Sequence, residues 1–117
     1  MGKGTAVKVK EINIERGSPT VDTAVGNLVN GLSTAKRAGF KAVVLIHGYG
    51  SSGTGGAIKA AAKEKLKDRA LSGIIKDAVG GEDWLNHSRD FMGICPQLTD
   101  YSRYVEGNRG VTVILLK

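Results

Sequence analysis

The chain has 117 residues, of which 41% are hydrophobic and 24% charged, and its formal net charge at pH 7 is +6. This length supports a single domain over residues 1–117 and is too short for two cores. The one cysteine, Cys95, excludes an internal disulfide and is expected to be a small buried residue, and no apolar run approaches the roughly 20 residues of a membrane span. With no secretory signal, we expect a cytoplasmic protein without a membrane partner. The basic charge favours a polyanionic partner such as nucleic acid.

The first part of the chain predicts a strand and a helix. Residues 1–5 are small and polar and are expected to form a flexible lead-in. Alternating apolar residues predict a half-exposed strand from Ala6 to Ile14, and the change of phase near Lys10–Glu11 indicates a bulge. A helix-start signal at Ser18–Pro19 and apolar residues spaced by three and four predict an amphipathic helix from Thr20 to Ala38.

The next stretch contains the most informative motif. The unbroken apolar run Ala42–Ile46 predicts a strand buried on both faces, and His47 follows it. A glycine-rich loop then leads to a helix predicted over Ala57–Leu71. Glycines let the backbone approach a ligand closely, and the free N–H groups at the start of a helix attract anions. This order predicts an anion site, and its alternative is a flexible connection without a ligand.

The remaining chain completes the fold. A short strand is predicted at Ile74–Val79, and residues 80–109 form a long excursion without a sustained period, with a short helix around Gln97–Val105. Its aromatic residues are expected to pin the excursion to the core rather than to stack on bases. The apolar run Val111–Leu116 predicts a strand near the middle of the sheet. Together these elements predict a two-layer α/β sandwich with a mixed sheet, in which both helices cross over parallel strand pairs.

The glycine loop permits more than one function. Gly48–Gly53 matches G-x-G-x-x-G between a strand and a helix, which is the setting of a dinucleotide fingerprint. A dinucleotide site also needs an acidic residue about 20 residues later, and Asp77 is only a poor candidate for it. The chain is also short for a complete dinucleotide fold. Two distant histidines and one cysteine do not supply the clustered ligands of a metal site. A small nucleotide-binding module and a protein-interaction domain with a purely structural loop therefore remain alternatives.

Three ordered stretches resemble the Smr domain, a small MutS-related module. They are the helix opening Pro19–Ala24, the turn Ile46–Gly50 and the closing strand Gly110–Leu115, so that the resemblance extends from about Ile12 to Leu116. It implies an α/β sandwich similar to the C-terminal domain of bacterial translation initiation factor three. It also implies nucleic-acid binding, with DNA nicking or RNA cleavage in some members.

The resemblance also implies the site residues. Many active members carry Leu-Asp-Leu-His-Gly after the first strand. The corresponding stretch of this chain, Ile12–Gly17, lacks that aspartate and that histidine. We therefore expect a weak or latent endonuclease, with His47, Glu15 and Arg16 as its catalytic candidates. We expect no cofactor apart from a divalent metal if cleavage occurs, DNA or RNA as the partner, and a monomer or weak dimer. The residues expected to bind phosphate are Arg16, Gly48, Tyr49, Gly50, Ser51, Ser52, Gly53, Gly55, Gly56, Lys59, Lys63 and Lys67.

Overall fold

A computed structural model describes residues 8–17, 19–49 and 55–117 of the chain. Four strands form a mixed sheet in the order β1-β2-β4-β3. The first two strands pair in parallel, and β4 pairs antiparallel with both β2 and β3. The strands are β1 (Val9–Asn13), β2 (Ala42–Ile46), β3 (Ile75–Gly80) and β4 (Val111–Leu116).

Four helices accompany the sheet: α1 (Val21–Arg37), α2 (Gly55–Leu66), α3 (Trp84–Ile94) and α4 (Ser102–Val105). The N-cap of α1 is Thr20, whose hydroxyl accepts a hydrogen bond from the Thr23 amide at 3.2 Å. This cap lies beyond the start signal predicted at Ser18–Pro19, and Ser18 is outside the described residues. The second helix ends at Leu66 instead of the predicted Leu71, because Asp68 caps a separate 3₁₀ turn at Arg69–Leu71.

Side chains alternate between the two faces of the sheet, and each face has its own core, so the expectation that the chain is too short for two cores is wrong. One face packs against α1 and α2 through a cluster of aliphatic residues that includes Val43, Leu45 and Ile114 from the central strands. The other face packs against α3, α4 and the 3₁₀ turn Pro96–Tyr101. The helical residues of this second core are Trp84, Phe91, Leu98 and Val105.

The mixed α/β class predicted from the sequence is confirmed, and the segment 80–109 adds to it. This segment was expected to be an excursion beside a two-layer sandwich, but it forms short helices that cover the second face of the sheet. Trp84 is fully buried and its indole N–H donates to the Ser102 hydroxyl at 2.9 Å. The prediction that aromatic residues pin this segment to the core is therefore correct for Trp84. Cys95 is buried in the same core, and burial raises the pKa of its thiol.

Two details of the strand prediction are corrected. The second crossover does not join neighbouring strands, because β4 lies between β2 and β3, although these two strands point in the same direction. The pairing of β1 with β2 is regular from Val9 to Asn13, so the phase change near Lys10–Glu11 is not a bulge. Val9 packs into one core while Ile12 and Ile14 pack into the other, since helices cover both faces.

The described residues contain no helix that is both long enough and apolar enough to cross a membrane.

The glycine that follows β3 offers a test of this second layer. A Cβ at Gly81 would overlap the carbonyl oxygen of Asn108 and lie 2.6 Å from that of Val105, whereas a Cβ at Gly93 in α3 would meet nothing within 4 Å. Gly81→Ala should therefore lower the free energy of unfolding by about 1–3 kcal/mol through overpacking. Gly93→Ala should raise it by up to about 1 kcal/mol because alanine is the better helix former. Urea unfolding of the two variants tests this, and an unchanged Gly81→Ala protein would contradict the described packing.

Candidate nucleic-acid interface

The carboxyl ends of three strands meet at one edge of the sheet. β1, β2 and β3 run in the same direction, and the antiparallel β4 begins at that edge, where Val111 pairs with Ile46 and Thr112 lies opposite Gly80. The chain segments that leave these strands carry Glu15, His47 and Glu82. The carboxyl edge of such a sheet is where α/β proteins place their ligands.

His47 is buried at this edge, with only 2% of its surface exposed. Its Nδ1 lies 2.6 Å from the Gly48 carbonyl oxygen, which only accepts, and its Nε2 lies 2.8 Å from the Thr112 hydroxyl. The imidazole therefore donates from Nδ1 and accepts the Thr112 proton at Nε2. Burial lowers the pKa of His47 and outweighs the hydrogen bond to Gly48, and the positive charge of Lys59 lowers it further.

Glu15 lies over the turn that follows His47. The backbone N–H groups of Glu15 and Arg16 donate to the Asn13 side chain at 3.0 and 2.9 Å, which folds the chain sharply after β1. Gly48 has a φ of +68°, and a Cβ there would stand 2.8 Å from a Glu15 carboxylate oxygen. A side chain at position 48 would thus be both strained and blocked. The structure brings Glu15 close to Gly48, the residue after His47, and both Glu15 and Arg16 are exposed to solvent.

Lys59, predicted to bind phosphate, has a partner within the protein. Its Nζ lies 2.9 Å from a Glu82 carboxylate oxygen, and the two side chains are 23% and 33% exposed. Partial burial would raise the pKa of Glu82, but the hydrogen bond from Lys59 and the charges of Lys59 and Lys63 hold it below its usual range. An incoming phosphate must therefore compete with Glu82 for Lys59.

A groove of about 480 Å³ lies between α2 and β3. His47 and Thr112 line it at the carboxyl edge, and Ser72 and Leu71 line it at the opposite end. Because β3 is an edge strand, α2 covers it only in part, and the partly buried side chains of Leu66, Ile75 and Ala78 remain in the groove wall. This volume lies within the range of about 300–1,000 Å³ typical of small-molecule sites.

The predicted basic track along α2 follows this groove. Lys59 and Lys63 of α2 and Lys67, directly after the last residue of α2, are spaced by four residues and all line it. The salt bridges among the described residues are Lys59–Glu82 and Lys65–Asp68. Lys63 and Lys67 therefore have no carboxylate partner in this part of the chain. Both side chains are exposed, which leaves their ammonium groups available to an anion.

Several predicted loop residues cannot be placed. Gly50, Ser51, Ser52 and Gly53 lie outside the described residues, so the predicted phosphate cradle is described only at its two ends. At one end, Tyr49 is 56% exposed beside the buried His47. At the other, Gly55 and Gly56 begin α2, and a Cβ on Gly56 would lie 3.6 Å from the Tyr49 carbonyl oxygen. The two ends of the loop are therefore close together.

The described side chains at this edge do not form a metal site. No group of three or more histidine, cysteine or acidic side chains suited to a metal ion occurs in the described part of the chain. His47 also has both ring nitrogens engaged within the protein, at Gly48 and Thr112. These residues therefore supply no ligand set for the divalent metal that nuclease activity was expected to need.

Thr112 and Glu82 belong to the site but were not predicted. Thr112 interrupts an otherwise apolar strand, and a polar residue in a buried strand is a signal that it contacts a polar partner. Glu82 comes soon after β3, and the shared direction of β1, β2 and β3 places it at the same edge as His47. No local pattern indicates its pairing with Lys59, which is 23 residues away in the chain.

The buried imidazole predicts a specific dependence of stability on pH. In the unfolded state, His47 has its ordinary pKa of about 6.5, whereas burial lowers this pKa in the folded state. As the pH falls below about 6.5, the unfolded state therefore binds a proton more readily than the folded state, and the free energy of unfolding decreases. Between about pH 7.5 and pH 5.5, the wild type should lose about 1 kcal/mol more free energy of unfolding than His47→Asn. Urea unfolding at both pH values measures this difference. His87→Asn, at an exposed position in α3, controls for the loss of a histidine, and a His47→Asn protein with the wild-type pH dependence would contradict the assignment.

The fold and the edge geometry can be compared with known proteins. The solved structure of the Smr domain of Thermus thermophilus MutS2 has a TM-score of 0.54 against this chain at 23% sequence identity, over 95% of this chain and 99% of that one. The curated proteins include no significant match. The family model described as Smr domain matches residues 16–117. Since this match covers most of the sequence, the chain belongs to the Smr domain family, which is known in general for nucleic-acid binding and nicking.

Proposed function

We propose that this protein binds nucleic acid at the carboxyl edge of its sheet, with the phosphates lying along the lysines of α2. The observation that carries the proposal is the pair Lys63 and Lys67, which are exposed and line the groove. In the described part of the chain neither of them has a salt-bridge partner. Unpaired ammonium groups about one helical turn apart suit a run of phosphates, because each can neutralise one of them and release its counterions.

The surroundings of these lysines support the proposal. The start of α2, which carries the partial positive charge of the helix dipole, lies on the same side as the turn after His47. Tyr49 is exposed beside it and can stack on a base. The net charge of +6 supplies an attractive long-range field for a polyanion. The family's general association with nucleic acid agrees with this assignment.

We further propose that any strand cleavage is weak. General acid–base catalysis needs a group that can reach the substrate and exchange a proton with it. The imidazole of His47 is buried, and both its nitrogens are hydrogen-bonded within the protein. Among the catalytic candidates this leaves Glu15 and Arg16, which are exposed. The absence of Leu-Asp-Leu-His-Gly after β1 supports the same expectation.

The double variant Lys63→Ala/Lys67→Ala tests the binding surface. Each lost phosphate contact should reduce the slope of log affinity against log salt by about 0.7–0.9, so the slope should fall by roughly 1.5 in total. Affinity should fall for every sequence alike, because phosphate contacts carry no sequence information. Fluorescence anisotropy with a labelled single strand and a labelled duplex, at about 50 and 200 mM salt, measures both quantities.

The matched control removes the same charge from the opposite face. Arg89 and Arg103 are exposed on α3 and α4, which cover the other side of the sheet. Arg89→Ala/Arg103→Ala should keep the wild-type salt slope and most of the affinity. If both double variants lose affinity equally, binding depends on overall charge, and the α2 surface is wrong.

Glu82 should act as an internal competitor of the phosphate. Glu82→Gln removes the carboxylate that holds Lys59, so nucleic-acid affinity should rise several-fold and the salt slope should increase by about one contact. Asp83→Asn is a matched control, since it removes a neighbouring groove carboxylate of the same charge that forms no salt bridge within the described residues. The same anisotropy titration compares them. Equal gains in the two variants would show that the Lys59–Glu82 pair does not restrain binding.

A further inference from the structure

The groove between α2 and β3 has two chemically different walls. Lys59 and Lys63 of α2, together with Lys67 directly after it, line one wall. The wall formed by β3 presents the partly buried apolar side chains of Ile75 and Ala78. Asp77 lies on the opposite face of the sheet, because it pairs with Leu115 of the other core. A surface that bound only phosphates would gain nothing from an apolar wall beside its lysines. The ligand that fits both walls therefore carries an anion at one side and an apolar body at the other.

The floor of the groove is apolar. Leu66, Ile75 and Ala78 are only partly buried against the neighbouring core, so part of their surface faces the groove. The volume of about 480 Å³ is closed to a double helix but open to one planar ring with its sugar. An anion next to a flat, mostly apolar ring describes a nucleotide.

We propose that this groove binds a single unpaired nucleotide, whose base lies against the aliphatic floor. The phosphates on either side of that base lie on Lys63 and Lys67. The inference rests on the nucleic-acid binding proposed above and adds a substrate class to it: strands that contain an unpaired or readily extruded base. Such a base enters a pocket at little cost, because no base pair has to be broken.

The test compares two ligands that differ only in one base. A short labelled duplex carries either one unpaired cytidine or, at the same place, an abasic residue, and both are prepared in DNA and in RNA form. Backbone charge and strand length are matched, so the two ligands differ in the base. The wild type should bind the cytidine ligand about ten-fold more tightly than the abasic ligand in at least one of the two forms, because the groove removes the face of the base from water.

A variant that fills the groove supplies the second arm. Ala78 is partly buried in the groove wall, whereas Ala60 is exposed on α2 and does not line the groove. Ala78→Phe should reduce the cytidine-to-abasic ratio to about one, because the added ring occupies the space of the base. Ala60→Phe, which adds the same ring elsewhere on α2, should keep the wild-type ratio. The wild-type comparison needs no variant and stands even if Ala78→Phe fails to fold.

The outcomes separate the two proposals. Equal affinity of the wild type for the cytidine and abasic ligands, in DNA and in RNA, would overturn the groove inference while leaving nucleic-acid binding intact. An Ala78→Phe protein that is folded and keeps the wild-type ratio would also overturn it, because the base would then lie elsewhere. If no ligand binds under any condition, the proposed function itself fails, and the groove inference fails with it.

Discussion

The antiparallel strand β4 lies between β2 and β3, and the geometry of the site depends on this placement. It puts Thr112 opposite Gly80 and within hydrogen-bond distance of His47. The Gly48 carbonyl sets the tautomer of the imidazole, and the remaining Nε2 accepts the Thr112 proton. It also moves β3 to the edge of the sheet, one strand away from the β2 end where the loop before α2 begins. Because α2 packs beside α1 over the central strands, the outer strand is only partly covered, and the groove opens along it.

The same placement explains why charges of both signs meet at this edge. Lys59 leaves the first part of α2, Glu82 follows β3 and Glu15 follows β1, and all three influence the pKa of His47. Lys59 lowers this pKa, whereas Glu82 and Glu15 raise it. Burial is the largest influence, and the pKa of His47 is therefore lowered. The histidine therefore acts as a neutral structural link between β2 and β4, which agrees with its two internal hydrogen bonds. In the proposed function, the exposed lysines rather than this imidazole contact the ligand.

How much of this could be predicted from the sequence varies along the chain. The runs Ala42–Ile46 and Val111–Leu116 are apolar without interruption or nearly so, which is the pattern of strands covered on both faces, and both are interior strands of the sheet. The helix α3 was missed because the exposed apolar residues Leu85 and Ile94 obscure the period set by its buried Trp84 and Phe91. Strand direction alone could place His47 at the carboxyl edge and the lysine track in a line that starts from that edge. The pairing of Lys59 with Glu82 could not, since it depends on which strand occupies the edge.

The order of the strands also has a consequence for biosynthesis. Strand β3 has β4 as its hydrogen-bonded neighbour, yet it emerges from the ribosome before β4, with residues 81–110 between them. During vectorial synthesis β1, α1 and β2 can assemble into a parallel unit while β3 still waits for its partner. A wall of the groove is thus completed only when β4 inserts between two strands already made. Acquisition of the ligand site and closure of the sheet are then a single late event in the maturation of the nascent chain.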